Sequence, residues 1–135
     1  MKNSYSNIFP ISKKTLNKAK GLLTKDSLVA LPTETVYGLA GNAYSAAAVK
    51  KIFNLKGRPA SNPLIIHYYN IEKALDDIII NNNFKKLYKK FCPGPVTFIL
   101  KKKKNSKIQV SANAKLKTVV CHFSGHWIAT GHRLI

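Results

Sequence analysis

Lys56 and Arg58 stand two apart in Lys56-Gly57-Arg58-Pro59. In an extended segment that spacing puts both side chains on one face. A lysine point charge beside an arginine fork suits a polyphosphate. Pro59 keeps Arg58 out of the helical region, in line with an extended segment. Taken alone, such a tetrapeptide is by default two solvated cations after a helix. Thr33, Glu34 and Thr35 follow a short apolar run, Leu28 to Leu31. Hydroxyls there can bind a small polar ligand, and Thr35 can bond an amine or a carboxylate. Glu34, one of five acids, can accept from an ammonium or pair with a lysine. Asn62 before Pro63 is a turn residue by default and at most an amide donor to a ligand. His67 ends a second apolar run and is by default a satisfied, partly buried histidine.

Other chemistries find little support. Cys121, His122, His126 and His132 lie close in sequence, but their spacing matches no zinc signature, and no metal site is expected. Cys92 and Cys121 form no C-x-x-C pair and read as two reduced thiols. No nucleophilic triad is legible, and there is neither a Walker loop nor a G-x-G-x-x-G. A nucleotide enzyme built on this chain is neither a P-loop nor a Rossmann one.

The elements that must position these residues alternate along the chain. Ser12 to Leu23 reads as a helix with Ser12 as N-cap, and Leu16, Ala19, Leu22 and Leu23 recur on one side. Leu28 to Leu31 reads as a strand buried on both faces, with regular pairing ending at Pro32. Val36 to Ala40 can resume as a strand. Ser45 opens a helix that Gly57 ends. Leu64 to Tyr68 is β-like, and Asn70 caps a helix running through Ile78. Phe84 to Phe91 is a short basic helix, and Pro93-Gly94-Pro95 a rigid turn. Val96 to Leu100 and Thr118 to Phe123 are strands, with Lys101 to Lys104 a solvated loop between them. Strands alternating with helices predict an α/β or α+β sheet with helices packed on it. Polar and basic groups at the ends of its buried strands are how an open sheet builds a ligand site. The span 1–135 reads as one domain, with 124–135 lacking any clear period.

The chain has 135 residues, 45% of them hydrophobic, which is globular composition rather than disorder. Lys and Arg number 23 against 5 acids, a net charge of +18. Such a field attracts polyanions or phosphate-bearing ligands. Abundant Lys, Asn and Ile are also what an A+T-rich genome encodes, so part of the excess needs no functional cause. No apolar run reaches the roughly 20 residues of a membrane span, and residues 1–9 carry no secretory core. A cytoplasmic location is the default expectation.

Several motifs together resemble the YrdC-like family. They are Leu31-Pro32-Thr33-Glu34-Thr35-Val36-Tyr37-Gly38-Leu39, Lys56-Gly57-Arg58-Pro59, Asn62-Pro63-Leu64 with His67, and Pro93-Gly94-Pro95-Val96-Thr97. Order and spacing agree from about Leu22 to Val120. The resemblance implies a twisted mixed α/β sheet with flanking helices around a basic cavity. It implies a threonylcarbamoyl-AMP synthase, which uses L-threonine, bicarbonate or CO2, and ATP with Mg2+, and releases pyrophosphate. The product serves threonylcarbamoyladenosine modification of tRNA, and tRNA or double-stranded RNA is an implied partner. By the family pattern, Thr35 and His67 contact threonine, while Lys56, Arg58, Asn62 and Thr118 face ATP. No protein nucleophile is implied.

The sequence departs from the pattern after Thr118. His122 stands where an arginine is expected, Ser124 where a proline is expected, and Trp127 replaces a further proline. An imidazole is a weaker clamp on a carboxylate than a guanidinium. The chain reaches Ile135 before the family's Pro-Ser-Ala-Asn-x-Ser-Gly segment, so the expectation is a C-terminally truncated domain with a divergent tail at 124–135. Two functions follow: the synthase, or a non-catalytic remnant that binds tRNA or double-stranded RNA.

Overall fold

Short helices form where a side chain satisfies the first free backbone N–H groups. Ser12 accepts from Thr15 N, and Thr15 returns a bond to Ser12 N, opening α1 (Lys13–Thr24) with a reciprocal box. Ser45 caps α2 (Ala46–Lys56), which Gly57 ends at φ +57°, a left-handed position that favours glycine. Asn70 caps α3 (Ile71–Ala74) and Asn81 caps α4 (Asn82–Phe91). A computed structural model of the chain describes residues 7–33 and 36–124.

Five strands make two ladders among the described residues. β1 (Val29–Pro32) pairs antiparallel with β2 (Tyr37–Ala40). β5 (Thr118–Phe123) lies between β3 (Ile65–Tyr68), which is parallel to it, and β4 (Thr97–Lys101), which is antiparallel. The mixed α/β class expected from the alternation is therefore the one observed.

The main core covers one face of the three-stranded sheet. Ile66, Tyr68, Phe98, Leu100, Val119, Cys121 and Phe123 point there, strictly at alternate positions. Val49 and Ile52 of α2 and Phe84 of α4 close over them. Phe84 meets Phe98 edge to face at 5.0 Å, and Tyr68 stacks on Phe123 at 5.7 Å. A smaller cluster, Leu23 and Ala40 with Leu16, Val29 and Leu31, fixes α1 to the hairpin.

Three local expectations are corrected. The run Leu28 to Leu31 is not buried on both faces; it joins a two-stranded hairpin with Ala30 exposed, whose ladder ends, as expected, at Pro32 opposite Tyr37. The helix expected from Asn70 through Ile78 lasts one turn. Past it the chain turns to pair with the end of β4, where Ile79 N donates to Lys101 O at 2.8 Å and Ile78 bridges Lys102. Tertiary hydrogen bonds there override helix propensity. Nor is the lysine run simply solvated: Lys102 Nζ donates to Ile108 O at 2.6 Å, and Lys103 Nζ donates to Leu75 O. Desolvation lowers the Lys102 ammonium, with Asp77 acting in the opposite direction.

Asp77 explains why the chain turns where it does. It is fully buried, and its carboxylate accepts from Tyr44 Oη at 2.7 Å, Tyr68 Oη at 3.1 Å and Ser106 Oγ at 2.7 Å. Its carbonyl accepts from Lys103 N. Burial, and after it the Asp77 charge, pushes the Tyr68 phenol up, so it stays a donor. Asp77→Ala would leave three hydroxyls without this acceptor. The expected loss is on the order of 3 kcal/mol, against about 1 for Tyr44→Phe, read by urea unfolding.

Burial also pushes the Cys121 thiol from 9.0 up to about 12. The unfolded thiol ionises first, so stability is complete below pH 9.0 and falls as pH rises toward about 12. Unfolding midpoints should drop across that window, and Cys121→Ala should flatten part of the slope while lowering stability at neutral pH.

Candidate functional site

The second face of the three-stranded sheet carries the chemistry. Register sets three residues in one row: His67 opposite His122, and His122 opposite Thr97. The next row is Ile65, Val120 and Ile99. The hairpin stands over this face. Between them is a cavity of about 270 Å³ lined by Thr33, Val36, Gly38, Ile65, His67, Pro95, Thr97 and His122.

Each wall has a local cause. At the hairpin end, Thr33 N donates to Val36 O at 3.1 Å, and Val36 N donates to the Thr33 hydroxyl at 3.2 Å. Those bonds close the chain on itself and hold the Thr33 side chain in place. Opposite, the Pro93-Gly94-Pro95 turn delivers Pro95 to the lining and the Val96 carbonyl to His122, whose Nδ1 donates to it at 3.0 Å. A carbonyl only accepts, so Nδ1 carries the proton of the neutral ring. The His67 and His122 rings meet edge to face at 5.2 Å. Cys121 faces the core from the other side of β5, fully buried, so it does not share a ligand set with His122.

The residues singled out from sequence fall into separate groups. His67 lines the cavity. Thr35, with Glu34, lies outside the described residues, as do His126, Trp127 and His132. Arg58 and Asn62 come together directly: Arg58 Nε donates to Asn62 O at 3.1 Å, and Nη2 donates to Asn62 Oδ1 at 2.9 Å and to Pro63 O at 2.7 Å. The extended Lys56–Arg58 segment expected from the spacing is not what forms. Lys56 is the last residue of α2 and exposed, and Gly57 turns the chain before Arg58. Thr118 opens β5, about 13 Å along the strand from His122, and its carbonyl accepts from Asn113 Nδ2 at 3.1 Å.

The lining in turn includes residues the sequence did not single out as ligand contacts. Thr97 and Pro95 sat inside a recognised motif without a role, and His122 figured only as a replacement. A period-two reading of Ile65-Ile66-His67 places His67 with Ile65, but cross-strand register is what adds Thr97 and His122. Among the described lining residues there is no lysine or arginine, and the imidazoles of His67 and His122 are the titratable groups.

Residues 21–131 match the model of the Sua5, YciO and YrdC proteins, described as telomere recombination. This chain belongs to the Sua5/YciO/YrdC family. Threonylcarbamoyl-AMP synthase of Bacillus subtilis is 42% identical over 114 residues, covering 83% of this chain and 32% of that protein. The Pyrococcus abyssi synthase is 43% identical over 114 residues, covering 82% and 32%. The structure of P. abyssi Sua5 complexed with L-threonine superposes with a TM-score of 0.81 at 40% identity, covering 90% of this chain and 35% of that one. This family member thus spans about a third of the length of those two relatives. No helix among its described residues is long and apolar enough to cross a membrane.

Gly94 tests how the wall is held. A Cβ there would collide with the Phe91 carbonyl oxygen, so the backbone must shift. Gly94→Ala is expected to cost about 1–3 kcal/mol in urea unfolding and to perturb the His122 imidazole signals, because Val96 moves with the turn.

Proposed function

We propose that this chain is a threonylcarbamoyl-AMP synthase domain, acting on L-threonine, bicarbonate or CO2, and ATP. The observation that carries this reading is 42% identity to a threonylcarbamoyl-AMP synthase over 83% of the chain, beside a family match over residues 21–131 that includes the walls of the cavity. The Sua5 structure complexed with L-threonine supports the amino acid as the ligand.

The chemistry asks the protein to hold anions together rather than to supply a nucleophile. The threonine amine captures CO2 as a carbamate. A carbamate oxygen then attacks the α-phosphorus of ATP; the new O–P bond forms as the bond to the bridging oxygen breaks and pyrophosphate leaves. Rate comes from placement and from cations facing the phosphates. Thr35 and His67 are the proposed threonine contacts. Lys56, Arg58, Asn62 and Thr118 are the proposed ATP contacts.

Arg58 is preset for that task. Three of its five donors hold Asn62 and Pro63, which orients the guanidinium, while its Nη1 edge makes no hydrogen bond among the described residues. Mg2+ accompanies ATP and neutralises phosphate charge. The net charge of +18 supports tRNA or double-stranded RNA as a partner, with retention falling steeply as salt rises.

The test is pyrophosphate release from ATP by the folded chain. It should require both L-threonine and bicarbonate. His67→Ala and Arg58→Ala should each reduce it on the order of a hundredfold. A folded chain that releases no pyrophosphate with all substrates present, yet retains tRNA at low salt, sinks the synthase reading in favour of a non-catalytic RNA binder.

A further inference from the structure

α4 buries one side and leaves an apolar stripe beside it uncovered. Phe84 and Tyr88 anchor the helix: Phe84 meets the Phe98 ring at 5.0 Å, and Tyr88 meets the Phe123 ring at 5.1 Å. Leu87 and Phe91 stand four apart and are 46% and 43% exposed, so they are surplus to that packing. At about 3.6 residues per turn, this pair lies next to the anchoring stripe, followed round the helix by Lys86 with Lys90, then Lys89 with Lys85. All four lysines are exposed, and no residue of α4 is acidic. Lys90 Nζ lies 5.2 Å from the centre of the Phe91 ring, which keeps charge and apolar surface side by side.

The two parts of this surface ask for different things. Four lysines on a ten-residue helix ask for a dense array of anions. An exposed leucine and phenylalanine ask for apolar surface directly beneath those anions. A nucleic-acid backbone meets the first demand and offers nothing to Leu87. A second copy of the chain could cover the apolar pair, but it would bring four more lysines, and a second charge of +18, against the first. A bilayer with anionic headgroups meets both demands, with phosphates at the level of the ammonium groups and acyl carbons below them. Long lysine stems let the ammonium groups stay at the phosphates while the neighbouring apolar side chains enter.

We propose that α4 is a peripheral docking face for an anionic lipid bilayer. Leu87 and Phe91 enter the acyl boundary, and Lys85, Lys86, Lys89 and Lys90 meet the headgroups. Ten residues are too short to cross a bilayer, so the helix lies in the plane of the interface. Phe84 and Tyr88 already hold it folded, so docking carries little cost of ordering.

Co-sedimentation of the full chain with vesicles tests this. Phosphatidylcholine alone is compared with phosphatidylcholine carrying about a third phosphatidylglycerol, at about 0.1 M salt. The chain should partition on the order of a hundredfold more strongly onto the anionic vesicles. Leu87→Gln combined with Phe91→Gln should weaken that partition on the order of tenfold, and Lys86→Gln combined with Lys90→Gln by a similar factor. Urea unfolding midpoints should stay at the wild-type value; if the apolar double variant is unstable, Leu87→Gln alone, at the more exposed position, is read instead. Equal partition of the wild type and the apolar variant overturns the proposal, because charge alone then accounts for binding. So does an absence of binding to the anionic vesicles. The proposal also fails if the apolar variant loses tRNA retention or self-association rather than vesicle binding.

Discussion

The position of β5 between a parallel and an antiparallel neighbour governs the rest of the molecule. Side chains alternate along a strand, so one register decision assigns every residue of β5 to a face. As observed, Val119, Cys121 and Phe123 enter the core and His122 turns to the cavity. The same register aligns His67 and Thr97 with His122. A slip of one residue would exchange Cys121 for His122, placing an imidazole among the aromatic rings and a thiol in the ligand wall.

Two further devices hold that arrangement. Asp77 gathers hydroxyls from Tyr44, Tyr68 and Ser106, which ties the segment before α2, strand β3 and the lysine-rich loop to a single buried carboxylate. A buried charge is tolerable only when its lone pairs are satisfied, and here three donors do so. On the opposite side, the Pro93-Gly94-Pro95 turn sets the Val96 carbonyl against His122 and so selects the ring's tautomer. Among the described residues the cavity is thus shaped by backbone groups, hydroxyls and two imidazoles.

Much of the local structure was legible in the sequence because its causes are local. Ser12, Ser45 and Asn70 act as caps, and Gly57 ends α2 in the left-handed conformation. The apolar periods of α1, α2 and α4 and the strand at Thr118–Phe123 were also readable. The helix expected through Ile78 was misjudged because its residues have adequate helix propensity. What ends it is a bridge to Lys102 and a set of hydroxyls from residues 9 to 33 positions away. The Lys56–Arg58 pair was misread for a related reason: Gly57 was seen correctly as a stop, but the turn it imposes also separates the two cations.

By itself the sequence determined the alternation of elements, the caps, the mixed class and the motifs that carry the family resemblance. These follow from neighbours a few residues apart, or from residue identities in order. Only the tertiary structure decided the partners of β5, and with them which residues share the cavity wall. His67 and His122 are 55 positions apart, and nothing local brings them to 5.2 Å. Strand pairing is set by burial of the opposite face, a property of the whole core rather than of either segment. For the same reason His122, a mere departure from a pattern when read along the chain, becomes part of the cavity wall beside His67 in three dimensions.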